Sequence, residues 1–136
     1  MVQQFQRCIA NRLDELSDLM AAVEGFLQQN GAGGELVYTT NLALEEMVTN
    51  TIKYGYDDKL DHEILVGLEW DGSSLRLRIE DDGHEFDPCQ APEPDTGKDL
   101  DDMAIGGLGI HLVREMAEAM TYTRSGDRNL LEITIR

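Results

Sequence analysis

From Leu13 onward, apolar residues return every three or four positions: Leu13, Leu16, Leu19, Met20, Val23, Phe26 and Leu27. That period belongs to a helix with one buried face. Asn30-Gly31 marks its end, and Gly33-Gly34 forms the joint that follows. Ahead of it, Val2, Phe5, Cys8 and Ile9 alternate weakly and predict an opening strand over Val2–Ala10. A second helix is expected from about Glu35 to Tyr54, with Leu36, Leu42, Ala43, Met47, Val48 and Ile52 inward and Gly55 as its stop. After a polar turn over Tyr56–Asp61 the period drops to two. Ile64, Val66 and Leu68 alternate, followed by Trp70; Asp71-Gly72 turns the chain; Leu75, Leu77 and Ile79 return, with Arg76, Arg78 and Glu80 on the other face. Between Asp82 and Ile105 no period survives. Pro88, Pro92 and Pro94 interrupt it, and Glu93, Asp95, Asp99, Asp101 and Asp102 make it acidic, so a long loop or lid is expected. Gly106, Gly107 and Gly109 open a third helix, about Leu108 to Ala119. A short strand around Tyr122, a turn at Gly126-Asp127 and a last strand through Leu130, Leu131, Ile133 and Ile135 close the chain.

The predicted order is β-α-α-β-β-loop-α-β-β. Three helices are too few to cover both faces of a sheet, so an α/β two-layer sandwich follows, with a mixed, mostly antiparallel sheet carrying helices on one face. At 136 residues, with no internal repeat or linker, one domain over 1–136 is expected. Charge narrows the partners. With 27 acidic and 11 basic residues the formal net charge is −16, which disfavours a phosphate backbone or an anionic membrane surface and leaves a basic protein surface as the better match. Cys8 and Cys89 form no metal-binding spacing or disulfide framework, the N-terminus carries no apolar leader, and no run of 18 apolar residues occurs. A cytoplasmic location is expected from these features.

Three short segments could carry chemistry. Glu46 and Asn50 stand four apart on the second helix and share a face. A carboxylate and a carboxamide so placed could position a water and hold Mg²⁺; the same spacing also suits a plain solvated face. Asp81, Asp82 and Gly83 end a strand, where a carboxylate can accept from an exocyclic amine or simply make a turn. Gly106-Gly107-Leu108-Gly109 precedes a helical apolar pattern. Its glycines allow close approach to a phosphate, and the helix N-terminus offers free amides; a tight helix start fits as well. No Gly-Lys-Ser/Thr follows, so this is not a Walker loop. His62, His84 and His111 lack zinc-site spacing, and Cys89 is read as a bystander.

Together these segments resemble the GHKL ATPase superfamily, and within it the bacterial anti-sigma factor serine kinases of the RsbW and SpoIIAB type. NLALEEMVTNTIKYGY is similar to the N box, EDDGHEFDP to the first glycine box, and GGLGIHLVREMAEAMTYTRSGDRNLLEITI to the second glycine box with its closing hairpin. The resemblance implies a Bergerat-type ATP-binding fold with a lid over about 87–106. It implies Glu46 as general base and Asn50 as the Mg²⁺ ligand. It places Asp81 and Gly83 at adenine, and Gly106, Gly107, Leu108 and Gly109 on the phosphate side. The implied cofactors are ATP and Mg²⁺. The implied activity is phosphorylation of a STAS-domain anti-anti-sigma protein together with sequestration of a sigma factor or another response component, within a possible homodimer. Two positions depart from the family pattern. Glu85 stands where a glycine or proline is common, and Ile105 where some members carry an arginine toward the terminal phosphate. Both favour the alternative of a catalytically weak GHKL binding module.

Overall fold

The computed structural model describes residues 1–90 and 107–136. Its elements run β1 (Gln3–Ala10), α1 (Leu13–Gln29), α2 (Gly34–Tyr54), β2 (Glu63–Trp70), β3 (Leu75–Asp81), a short 3-10 helix (Pro88–Gln90), α3 (Gly107–Met116), β4 (Ala119–Ser125) and β5 (Arg128–Ile135). The order matches the sequence pattern, because each period change marks an element boundary. Two details differ. Pro88–Gln90 makes one regular turn inside the segment expected to be irregular. The third helix stops at Met116 rather than near Ala119, because the Glu118 amide donates to the Thr134 carbonyl and Ala119 pairs with Thr134 in the sheet. Of the lid expected over about 87–106, residues 91–106, with Ile105 and Gly106, lie outside the described residues.

The five strands form one sheet in the order β1-β2-β3-β5-β4, and all four pairings are antiparallel. Alternation decides the faces. Ile64, Val66, Leu68 and Trp70 of β2, Leu75, Leu77 and Ile79 of β3, and Leu131, Ile133 and Ile135 of β5 are buried. The helices contribute Leu16, Leu19, Val23 and Leu27 from α1, Ala43, Leu44, Met47 and Val48 from α2, and Ile110 and Val113 from α3 to the same core. Each fully buried leucine, isoleucine or valine stabilises the fold by about 1.5–3 kcal/mol relative to exposure. The opposite sheet face carries Gln4, Gln6, Arg76, Arg78 and Glu80 and, among the described residues, has no helix on it.

Local chemistry fixes the joints. α1 closes with Gly31 at φ +83°, the Gly31 amide donating to the Gln28 carbonyl and the Ala32 amide to the Leu27 carbonyl. This is a Schellman closure, and its left-handed position suits glycine. The Trp70 indole N–H donates to the Asn30 carbonyl at 3.0 Å, tying the end of β2 to the end of α1. In the β2–β3 hairpin, Asp71 Oδ1 accepts from the Ser73 and Ser74 amides at 2.8 and 2.7 Å. These bonds lower the Asp71 pKa to about 2.

Candidate functional site

Where α2 crosses the sheet, the described residues enclose a cavity of about 180 Å³. α2 supplies Met47, Asn50, Thr51 and Tyr54 to its wall, Gly55 follows as its C-cap, and β3 supplies Ile79 and Asp81. His84, Phe86 and Pro88 follow from the next loop, Tyr122 comes from β4, and Asn129 and Leu131 come from β5. Apolar walls with a few converging polar groups describe a small-molecule site.

Asp81 is buried in the cavity wall, only 7% exposed. Its Oδ1 accepts from the Gly83 amide at 2.8 Å and from Asn129 Nδ2 at 2.9 Å. Among the described residues no donor reaches Oδ2, which leaves one carboxylate oxygen open to a ligand in the cavity. Antiparallel register explains the pair, since Asp81 and Asn129 are direct partners across β3 and β5. Asn129 also donates to the carbonyls of Gly83 and His84, and its own oxygen accepts from the Tyr122 hydroxyl and from Arg124 Nη1. Arg124 Nη1 holds the Gly83 carbonyl as well, at 2.7 Å. The turn after β3 is further stapled to the end of α2, where the His84 amide donates to the Gly55 carbonyl at 2.8 Å. A side-chain Cβ at Gly83 would run into that carbonyl, so this close approach requires glycine.

The second cluster lies where α2 meets α3. The Glu46 carboxylate rests against Gly109, in the first turn of α3, so closely that a Cβ there would overlap it. Glu46 is half-buried, and burial followed by the neighbouring Glu45 charge raises its pKa. Glu45 itself is exposed. Asn50, one turn further along α2, lines the cavity. Gly107 and Leu108 belong to the first turn of α3, where unpaired amides favour an anion.

A third cluster ties the α2–β2 loop to the end of β3. His62 stacks on Tyr56, with ring centroids 4.1 Å apart. Its Nε2 meets Asp58 at 2.7 Å and its Nδ1 meets Asp82 at 3.1 Å. Hydrogen bonding to Asp58 leads the causes that raise the His62 pKa. Burial, followed by the Asp81 and Asp82 charges, pushes the Tyr56 phenol well above its usual range.

The sequence profile of the histidine kinase-like ATPase domain matches residues 9–135. The chain belongs to this family. The domain is 27% identical over 118 residues to the serine/threonine-protein kinase BtrW of Bordetella bronchiseptica, an alignment covering 87% of this chain and 83% of that protein. It is 28% identical over 101 residues to the serine-protein kinase RsbW of Listeria monocytogenes, covering 71% of this chain and 64% of the relative. It therefore spans somewhat under two-thirds of the Listeria protein's length. A crystal structure of the RsbU and RsbW domains of a Mycobacterium tuberculosis protein superimposes with a TM-score of 0.71 at 15% identity, covering 98% of this chain and 32% of that one. That superposition is a likeness of fold.

The histidine kinase-like ATPase fold thus brings Asn50 and Asp81 to one cavity, Gly83 behind it with its amide on Asp81, and Glu46 to the start of α3 beside Gly109. Glu85, a departure noted in the sequence, is exposed and lies outside the cavity wall. Sequence reasoning missed Asn129, Tyr122 and Arg124. The only signal was three polar side chains on inward positions of a closing hairpin, which a strand with an apolar inner face does not need.

Proposed function

We propose that this chain is a Mg-ATP-dependent serine/threonine-protein kinase of the anti-sigma type, which phosphorylates a STAS-domain anti-anti-sigma protein and sequesters a sigma factor. The observation that carries the reading is the buried, half-satisfied Asp81 carboxylate in an apolar cleft, with Asn50 lining the same cleft and Glu46 one turn before it. Adenine would lie against Met47, Ile79 and Leu131, its amine donating to Asp81 Oδ2. Phosphates would extend toward the first turn of α3, where helix amides meet anions. Among the described residues no group of three or more His, Cys, Asp or Glu side chains is gathered for a metal. Asn50 would offer one oxygen ligand, which fits Mg²⁺ carried in largely by phosphates. That ion, when bound, neutralises charge on the transferred group.

Glu46 takes the proton from the substrate serine hydroxyl as its oxygen attacks the terminal phosphorus and ADP leaves. Its raised pKa suits a base working near neutral pH. The relatives' names, serine/threonine-protein kinase and serine-protein kinase, support the same class. The test measures transfer of labelled phosphate to a purified STAS-domain protein, with ATP affinity measured in parallel. Glu46→Gln is expected to lower transfer by about 10²- to 10⁴-fold with ATP affinity nearly unchanged, since a general base acts in the transition state. Glu45→Gln is expected to match wild type. Wild-type protein that binds Mg-ATP and the STAS protein yet transfers nothing would establish the rival reading, a nucleotide-holding module that regulates its partner by binding alone.

A further inference from the structure

We propose that Asn129 is the positioning residue that sets base selectivity at this site, restricting it to a purine whose exocyclic amine meets Asp81. The inference rests on the nucleotide reading above and adds to it a residue that does the discriminating without touching the reacting atoms.

The geometry leaves the Asn129 amide no freedom. It is 7% exposed. Its Nδ2 sits 2.9 Å from Asp81 Oδ1, 3.0 Å from the His84 carbonyl and 3.3 Å from the Gly83 carbonyl, all acceptors. Its Oδ1 faces Arg124 Nη1 at 3.0 Å and the Tyr122 hydroxyl. Arginine can only donate, so the amide is oriented by its surroundings and a flip would set donor against donor. Both amide hydrogens and both oxygen lone pairs are engaged. Asn129 therefore shows the cavity no free donor.

The consequence falls on Asp81. Held through Oδ1 by two donors, the carboxylate cannot rotate, and Oδ2 is fixed as the acceptor. Adenine carries an amine at its six position and meets that oxygen with a donor. Guanine carries a carbonyl oxygen there, which would face a carboxylate oxygen with no hydrogen between them, an unpaired and repulsive contact in a buried place. Guanine's own donors, the N1 hydrogen and the two-position amine, lie further along the base edge. A carboxylate free to turn or shift could reach them; one pinned by Asn129 cannot. Selectivity then comes from immobilising an acceptor that is chemically able to serve either base.

The experiment titrates purified wild type, Asn129→Ala and Tyr122→Phe with ADP and, separately, GDP by calorimetry, with circular dichroism spectra and melts as folding controls. Wild type is expected to prefer ADP. Asn129→Ala should weaken ADP by about tenfold, weaken GDP much less, and so lower the ADP:GDP ratio. Tyr122→Phe removes one donor to Asn129 Oδ1 and leaves the amide in place. It should shift the ratio in the same direction by about threefold, which keeps the test decisive if Asn129→Ala fails to fold. A merely structural role would weaken both nucleotides alike, and an unchanged ratio in the folded variants overturns the assignment of Asn129 alone. Wild type that binds neither nucleotide overturns the nucleotide reading and this inference with it.

Discussion

The decisive residue is Asp81, because burial makes its chemistry selective. A carboxylate in water accepts from whatever passes. One that is 7% exposed, with one oxygen already bonded inside the protein, presents a single oxygen to a ligand and favours a partner that donates to it. Asp81→Asn is therefore expected to weaken adenine-nucleotide binding by about 1.5–3 kcal/mol, the range for a charge-assisted hydrogen bond. Calorimetry on the folded variant checks this, and unchanged affinity would remove Asp81 from the adenine site. Cys89 illustrates the opposite case. Burial and the nearby Asp87 push its thiol to about 11, and it donates to the Met120 carbonyl, so it is held as the inert thiol at neutral pH.

Elements matter here through what they press together. Gly109 lets α3 approach α2 closely enough for the Glu46 carboxylate to lie on its first turn. Gly109→Ala would ordinarily favour a helix by up to about 1 kcal/mol, but the added methyl meets the end of a flexible side chain and displaces it. The expected result is phosphate transfer reduced as in Glu46→Gln, with ATP affinity and melting temperature close to wild type. Transfer at the wild-type rate would mean that Glu46 is not held by this contact. The loop between α2 and β2 is governed by His62, clamped by Asp58 and Asp82. Its pKa is raised on folding, so its contribution is fully present below the unfolded value near 6.5 and is lost as pH rises through the folded value. Melts of wild type and His62→Gln should differ most near about pH 5.5 and converge at alkaline pH; a gap that widens with pH would contradict the clamp. The sequence made these elements legible because helix and strand periods differ and change abruptly at Leu13 and Ile64, with Asp71-Gly72 marking the turn between two strands of the same period. Glu46 and Asn50 were readable as a shared helix face, and their roles only by family resemblance. Asn129 was unreadable, since its meaning depends on register with a strand 48 residues earlier. So was the contact between Glu46 and Gly109, which depends on how two helices pack.

For the molecule as a whole, charge governs what happens outside the core. A formal charge of −16 on 136 residues repels itself, more strongly in the compact state than in the expanded chain. Raising monovalent salt from about 0.02 to 0.2 M shortens the screening length from tens of ångströms to under ten, and the melting temperature is expected to rise. A scanning calorimetry series checks it, and a falling melting temperature would show that attractive pairs outweigh the net repulsion. The strand order adds a consequence in time. β5 is the last described element to be made, yet it is inserted between β3 and β4 and is the partner of Asp81. During synthesis, β1 to β3 and the first two helices emerge as a partial sheet whose β3 edge is bare, with the Asp81 carboxylate lacking Asn129. The ligand cleft therefore cannot exist on the nascent chain until Arg128–Ile135 has left the ribosome. Until then the β3 edge is a bare one to shield, and nucleotide can reward only a chain in which β5 has been made.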